Sequence, residues 1–204
     1  MASHLFRSIT LSALLATASL PVQADGLSGS YLAARQASYS SDFAAAAQYY
    51  TQALIRDPGN PGLLENTVLA YLSLGKLDKA LPVARRMDEG GMSSQLANMV
   101  LAAGMVRDGA YEELMARLGG DGFVGPLVDG LLTAWAEIGR GNMSAALAGF
   151  DTVAQQPGLG GFAAFHRALA LASVGDFERA EAIYATGDLN GVQLTRRGIM
   201  ARIE

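Results

Sequence analysis

Cysteine is missing from all 204 residues, and the chain holds only two histidines and one tryptophan. Without cysteine there are no disulfides, no thiolate metal sites and no lipid attachment at a processed N-terminal cysteine. Such a chain is compatible with an oxidising compartment such as a bacterial periplasm. Histidine is nearly as scarce. His4 falls in a leader described below, which leaves His166. No Ser/His/Asp or Cys/His arrangement can be assembled around it, and the serine-elbow pattern G-x-S-x-G does not occur. Flanked by Phe165 and Arg167, His166 reads as a surface or packing residue. The sequence therefore assigns no catalytic residue, no cofactor and no metal, and the chain is read as a non-enzyme.

Charge is sparse as well. Asp, Glu, Lys and Arg make up 17% of the residues, with 15 basic against 19 acidic and a net charge of −4. Residues 1–24 hold Arg7 and no acid, so without them 14 basic residues face 19 acidic ones and the net charge is −5. A mildly acidic chain matches phosphate backbones poorly. Basic residues cluster no further than Arg85-Arg86 and Arg196-Arg197, so neither nucleic acid nor an anionic membrane surface is expected as a partner. The acids Glu112, Glu113, Asp176, Glu178 and Glu181 read as solvated charge on turns and helix faces.

The N-terminus has the composition of a secretory signal peptide. Residues 1–7 carry Arg7 and no acid, residues 8–20 are largely apolar, and Val22-Gln23-Ala24 supplies small residues where a signal peptidase reads. Cleavage is expected after Ala24, with a periplasmic or secreted product of the bacterial envelope. The alternative is an uncleaved membrane anchor. A spanning helix needs about 20 apolar residues, more than this run offers, so no stable membrane insertion is expected after cleavage.

Beyond the leader, one register recurs five times: Ser41-x-Phe43-x-x-Ala46, Gly75-x-Leu77-x-x-Ala80, Gly109-x-Tyr111-x-x-Leu114, Gly141-x-Met143-x-x-Ala146 and Gly175-x-Phe177-x-x-Ala180. The steps between the middle residues are 34, 34, 32 and 34, a period that marks a helical repeat array. Apolar residues inside each unit fall at helical spacing, as in Tyr50, Ala53, Leu54 and Val68, Tyr71, Leu72, and β-branched alternation is lacking. The four glycines stand where a first helix must end and the chain reverse. Pro58, after Asp57, closes a second helix.

These residues resemble the tetratricopeptide repeat family. The first unit matches through Ala34, Phe43, Ala46, Tyr50, Ala53 and Pro58, the second through Tyr71, Gly75, Leu77 and Ala80, and the fifth through Ala168, Gly175, Phe177, Ala180 and Tyr184. The third and fourth are weaker, with Leu114 in place of an alanine and Pro157 one place early; Ala84 stands where an aromatic is usual. The resemblance implies an all-α, right-handed superhelical solenoid of antiparallel helix pairs. Its repeats fall at about 27–60, 61–94, 95–126, 127–160 and 161–187, with a partial helix over 192–204. The apolar Ile199, Met200 and Ile203 cannot all face a preceding repeat, which points to a piece of a longer array, with an improvised cap as the alternative.

The resemblance also implies where partners bind: the concave groove lined by the fifth, ninth and twelfth places of each first helix. In repeat 1 these are Tyr31, Arg35 and Ser38, and in repeat 2 Glu65, Leu69 and Leu72. In repeat 3 they are Met99, Ala103 and Val106, in repeat 4 Leu131, Trp135 and Ile138, and in repeat 5 Phe165, Leu169 and Ala172. Chaperone-docking members of the family clamp a terminal carboxylate with basic residues and asparagine along this face, and here only Arg35 is basic. An apolar groove led by Trp135 and Phe165 instead suits a hydrophobic protein or peptide segment, because aromatics anchor interfaces and Met99 adapts to irregular partners. The alternative is that part of this face packs against the chain's own continuation.

Two motif matches fail on context. Residues 120–125 satisfy G-x-G-x-x-G, yet they follow a helix and not a strand, so they are read as an inter-repeat turn that absorbs the shorter step. Asn142-Met143-Ser144 fits a glycosylation acceptor, but Met143 is expected to be buried. The function expected is a non-catalytic exported scaffold that binds protein or peptide partners through an apolar groove. The alternative is an accessory or regulatory segment of a longer enzyme or envelope-assembly protein whose remainder lies beyond residue 204.

Overall fold

The computed structural model describes residues 26–120, 122–185 and 200. Among them are ten α-helices and no strand. The helices form five pairs: α1 (Leu27–Tyr39) with α2 (Phe43–Arg56), α3 (Pro61–Ser73) with α4 (Leu77–Glu89), α5 (Gln95–Arg107) with α6 (Tyr111–Leu118), α7 (Pro126–Gly139) with α8 (Met143–Ala154), and α9 (Gly160–Ser173) with α10 (Phe177–Ala185). Each helix packs on the next along the chain, which makes a helical solenoid. The signal peptide expected over residues 1–24 lies outside the described residues. So does the helix expected over 192–204, apart from Met200, which is helical and exposed.

Local chemistry sets the helix ends. Asp42, Asn60 and Ser94 cap α2, α3 and α5 by accepting the backbone N–H of Ala45, Leu63 and Ala97. Pro61 and Pro126 open α3 and α7, where a missing N–H costs nothing. The turn inside every pair has one design. In repeat 2, Gly75 N–H donates to Leu72 O and Lys76 N–H to Tyr71 O, and the same two bonds recur in the other four repeats. The first of these donors has a positive φ each time, at Ser41, Gly75, Gly109, Gly141 and Gly175.

Packing follows the period. The eighth places of the repeats, Ala34, Val68, Ala102, Ala134 and Ala168, are all buried, and so are the twentieth places, Ala46, Ala80, Leu114, Ala146 and Ala180. These positions form the crossing of each pair, where small side chains let the helices approach. Repeat 3 departs from the pattern. Leu114 fills its crossing, α6 has only 8 residues, and α5 and α6 meet over a shorter length than any other pair. Met143, expected to be buried, is only half-buried, since it opens α8 at the rim of its pair and not at the crossing.

The apolar core forms successive clusters. One joins repeats 1 and 2 around Ala46, Tyr50 and Leu63, and a large one joins repeats 2 and 3 around Leu64, Met87, Val100 and Leu114. A smaller one joins repeats 4 and 5 around Ala134, Phe150 and Ala170. The large cluster also takes in Phe123 and Val124 from the α6–α7 connection.

Candidate functional site

The connection between α6 and α7 sets the geometry of the face formed by the first helices. Phe123 and Val124 are buried, and their N–H groups donate to the two carboxylate oxygens of Asp129, at 2.9 and 2.8 Å. Their carbonyls accept from α5, where Asn98 Nδ2 donates to Phe123 O at 2.6 Å and Gln95 Nε2 to Val124 O at 2.9 Å. The segment is thus bound to α5 on one side and to α7 on the other. Its amides are already occupied by Asp129, and α6 precedes it, so the G-x-G-x-x-G match is an inter-repeat turn and not a phosphate cradle. With this wedge between them, α5 and α7 make little direct contact, whereas α3 packs on α5 and α7 on α9.

Two apolar clefts open in that gap. The first, about 370 Å³, is lined by Met99, Ala102, Ala103, Val106, Val128 and Leu132, with Arg107 as its one charge. The second, about 380 Å³, runs between Val106, Tyr111, Leu132, Trp135, Ala136, Ile138 and Gly139. Val106 and Leu132 belong to both, so the clefts adjoin. Arg107 is neutralised by Asp78 and by Asp108, whose carboxylate lies 2.9 Å from its Nε. The hydrogen bond from Arg107 holds the Asp108 carboxyl below its usual range.

The residues expected in the groove divide accordingly. Met99, Ala103, Val106, Trp135 and Ile138 line the paired clefts, and Met99 and Val106 are exposed. Leu131 packs instead on the cluster of Ala134, Phe150 and Ala170. Tyr31 lines a separate cleft of about 270 Å³ with Leu27, Ser28, Asn60, Gly62, Leu63 and Asn66. Arg35 is exposed, donates to the Tyr39 hydroxyl at 2.7 Å and lies over the rings of Tyr31 and Tyr39. Leu69 is exposed, Leu72, Phe165 and Leu169 are half-buried, and none of the four lines the paired clefts. Glu65 accepts from Ser94 Oγ at 3.0 Å.

Trp135 is half-buried, not a free anchor. Its indole N–H donates to His166 Nδ1 at 3.0 Å, and its ring meets Phe150 edge-on at 6.0 Å. Burial pushes the His166 pKa below its ordinary value.

The eighth and twentieth places, buried in all five units, repeat through the whole set of pairs, and residues 31–94 match the family model described as Tetratricopeptide repeat. Residues 31–94 are tetratricopeptide repeats. The match spans repeats 1 and 2, and repeats 3 to 5 carry the same crossings and turns. No curated protein matches the chain. Tetratricopeptide repeats are in general non-catalytic surfaces on which other proteins dock.

The large apolar liners missed from the sequence are Val128 and Leu132, at the second and sixth places of repeat 4, and Tyr111 from a second helix. The i, i+3, i+4 run Val128, Leu131, Leu132, Trp135 was visible and marks one continuous apolar face. A further cleft of about 300 Å³ lies between α4, α5 and α6, with Leu81, Leu101 and Met105 beneath a rim of Arg85, Asp88, Glu89, Asp108, Glu113 and Arg117. On its rim Arg117 grips both oxygens of Asp88 at 2.9 and 2.8 Å, and Asp108 is held by Arg107. Among the described residues no group of His, Asp and Glu could hold a metal ion.

Proposed function

We propose that this protein is a non-catalytic exported scaffold that holds an apolar protein or peptide segment between α5 and α7. The carrying observation is the adjoining pair of apolar clefts, whose one charged liner is already ion-paired. A partner that buries apolar side chains there displaces water from both clefts and leaves no charge stranded. The separation of α5 and α7 supports a ready-made groove, so little reorganisation opposes binding. The exposed Met99 and Val106 are the best placed to carry the affinity, and Trp135 contributes as a fixed wall. The net charge of −4 supports a protein partner over nucleic acid.

Export is part of the same reading and rests on the composition of residues 1–24. N-terminal sequencing of the protein recovered from the periplasm should begin at Asp25. Retention of residues 1–24 in a membrane fraction would favour an anchor.

Affinity capture from an envelope extract, run in parallel with wild type, Val106→Asp and Met99→Asp, tests the groove. Both side chains are exposed, so the variants should melt as wild type does. The partner should be lost from both variants. Equal recovery by folded wild type and variants would show that binding lies elsewhere.

A further inference from the structure

Trp135 and His166 join two repeats. The indole on α7 donates to Nδ1 of the imidazole on α9 at 3.0 Å, and the rings stand edge-on at 6.1 Å and 80°. An imidazole nitrogen accepts a hydrogen bond only when it carries no proton, so this contact requires the neutral ring with its hydrogen on Nε2. A proton on Nδ1 would set one N–H against another, and either the indole or the imidazole must then turn away.

The surroundings offer the charged ring no compensation. On α7, Asp129 is bound to the amides of Phe123 and Val124, and Glu137 holds Arg140 and Asn142. On α8, Asp151 faces Arg167 of α9 at 3.6 Å, and beside α10 Asp176 pairs with Arg179. Glu178 and Glu181 of α10 are exposed. Phe165 meets His166 edge-on at 5.6 Å, and Phe150 meets the indole edge-on at 6.0 Å. Burial alone shifts His166, and it lowers the pKa.

We propose that protonation of His166 opens its hydrogen bond to Trp135 and loosens the joint between α7 and α9, so that the stacking of repeats 4 and 5 responds to acid. The contact lies where α7 packs on α9, so its loss acts on that joint while α8 and α9 stay packed. Trp135 is also a wall of the second cleft, so its release changes that wall. The acid response of the joint stands whether or not the cleft holds a partner. Histidine serves such switches because modest shifts move its titration through the range from about pH 5 to 8.

Trp135 is the sole tryptophan of the chain, so its emission reads the contact directly. Between about pH 8 and pH 5 the emission of the full-length protein should change in one step, with a midpoint below the 6.5 of an ordinary imidazole, while the helical far-UV signal stays constant. His166→Gln, whose amide oxygen accepts the same indole N–H without titrating, should remove the step. In wild type alone, the Trp135 indole N–H resonance and the His166 ring resonance should move with one common midpoint, a measurement that needs no variant. A flat wild-type trace, the same step in His166→Gln, an indole resonance that ignores His166, or loss of helix over the same range would each overturn the proposal.

Discussion

The side chain of Leu81 on α4 fills the space above Gly104 on α5 that a β-carbon would occupy. Gly104 takes the tenth place of repeat 3, where repeats 2, 4 and 5 have Ala70, Ala136 and Ala170. In an open helix Gly→Ala gains about 1 kcal/mol. Here both residues are buried, and the new methyl must displace the end of the Leu81 side chain from its place in the large core cluster, an overpacking that costs about 1–3 kcal/mol. Gly104→Ala should therefore destabilise the protein in a urea titration. Leu81→Ala should cost less in that background than in wild type, because it removes the collision. A stabilised Gly104→Ala would mean that Leu81 moves freely.

Ser41 holds φ 59°, and the same place in the other four repeats is a glycine with φ between 67° and 82°. The turn demands the left-handed region, which costs a residue with a β-carbon about 1–2 kcal/mol. Ser41→Gly relieves that strain and gives back part of the gain through the looser unfolded chain. Stability should rise by up to about 1 kcal/mol, seen as a higher urea midpoint at unchanged slope. A fall would mean that the serine side chain contributes more than its backbone costs.

The crossing of helices inside a repeat gives a pair of opposite substitutions. Ala80 is fully buried where α3 and α4 approach, so Ala80→Trp should cost more than about 1 kcal/mol by forcing the pair apart. Leu114 holds the same place in repeat 3 and is equally buried, where α5 and the short α6 meet over less of their length. Leu114→Ala should therefore leave a cavity and cost about 2–5 kcal/mol. Neutral behaviour at either site would break the equivalence of the repeats.

The helix pairs could be read from the sequence because the residues that make them act locally. A glycine or serine at the turn and an alanine at the crossing recur at a fixed period, and both act through the backbone within one repeat. The α5–α7 gap was harder to read. It depends on Phe123 and Val124 being bound by Asn98, Gln95 and Asp129, contacts that span up to 29 residues and need the pairs already stacked. Of the face implied by the family resemblance, Met99 and Val106 stand open. Trp135 is tied down by a residue 31 places away, a pairing that no local period announces. Gly104 carried an unused signal, since a glycine in a helix interior marks a close approach.

Arg117 joins repeat 3 to repeat 2 through both carboxylate oxygens of Asp88, at 2.9 and 2.8 Å, and its guanidinium also lies over the ring of Phe123 at 5.6 Å. The hydrogen bonds from Arg117 hold the Asp88 carboxyl below its ordinary value of 3.8. The folded state then binds this proton less readily than the unfolded chain. The pair's contribution is therefore complete above the unfolded value and disappears as the pH falls through the lower folded one. Both side chains are partly exposed, and screening limits a pair of this kind to about 1 kcal/mol or less. Asp88→Asn should lower stability by that order at neutral pH, with a gap to wild type that holds down to about pH 5 and closes on further acidification. Urea titrations at a series of pH values measure it. A gap that persists in acid would assign the loss to packing, and no gap at neutral pH would show that the pair leaves the stacking of repeats 2 and 3 unaffected.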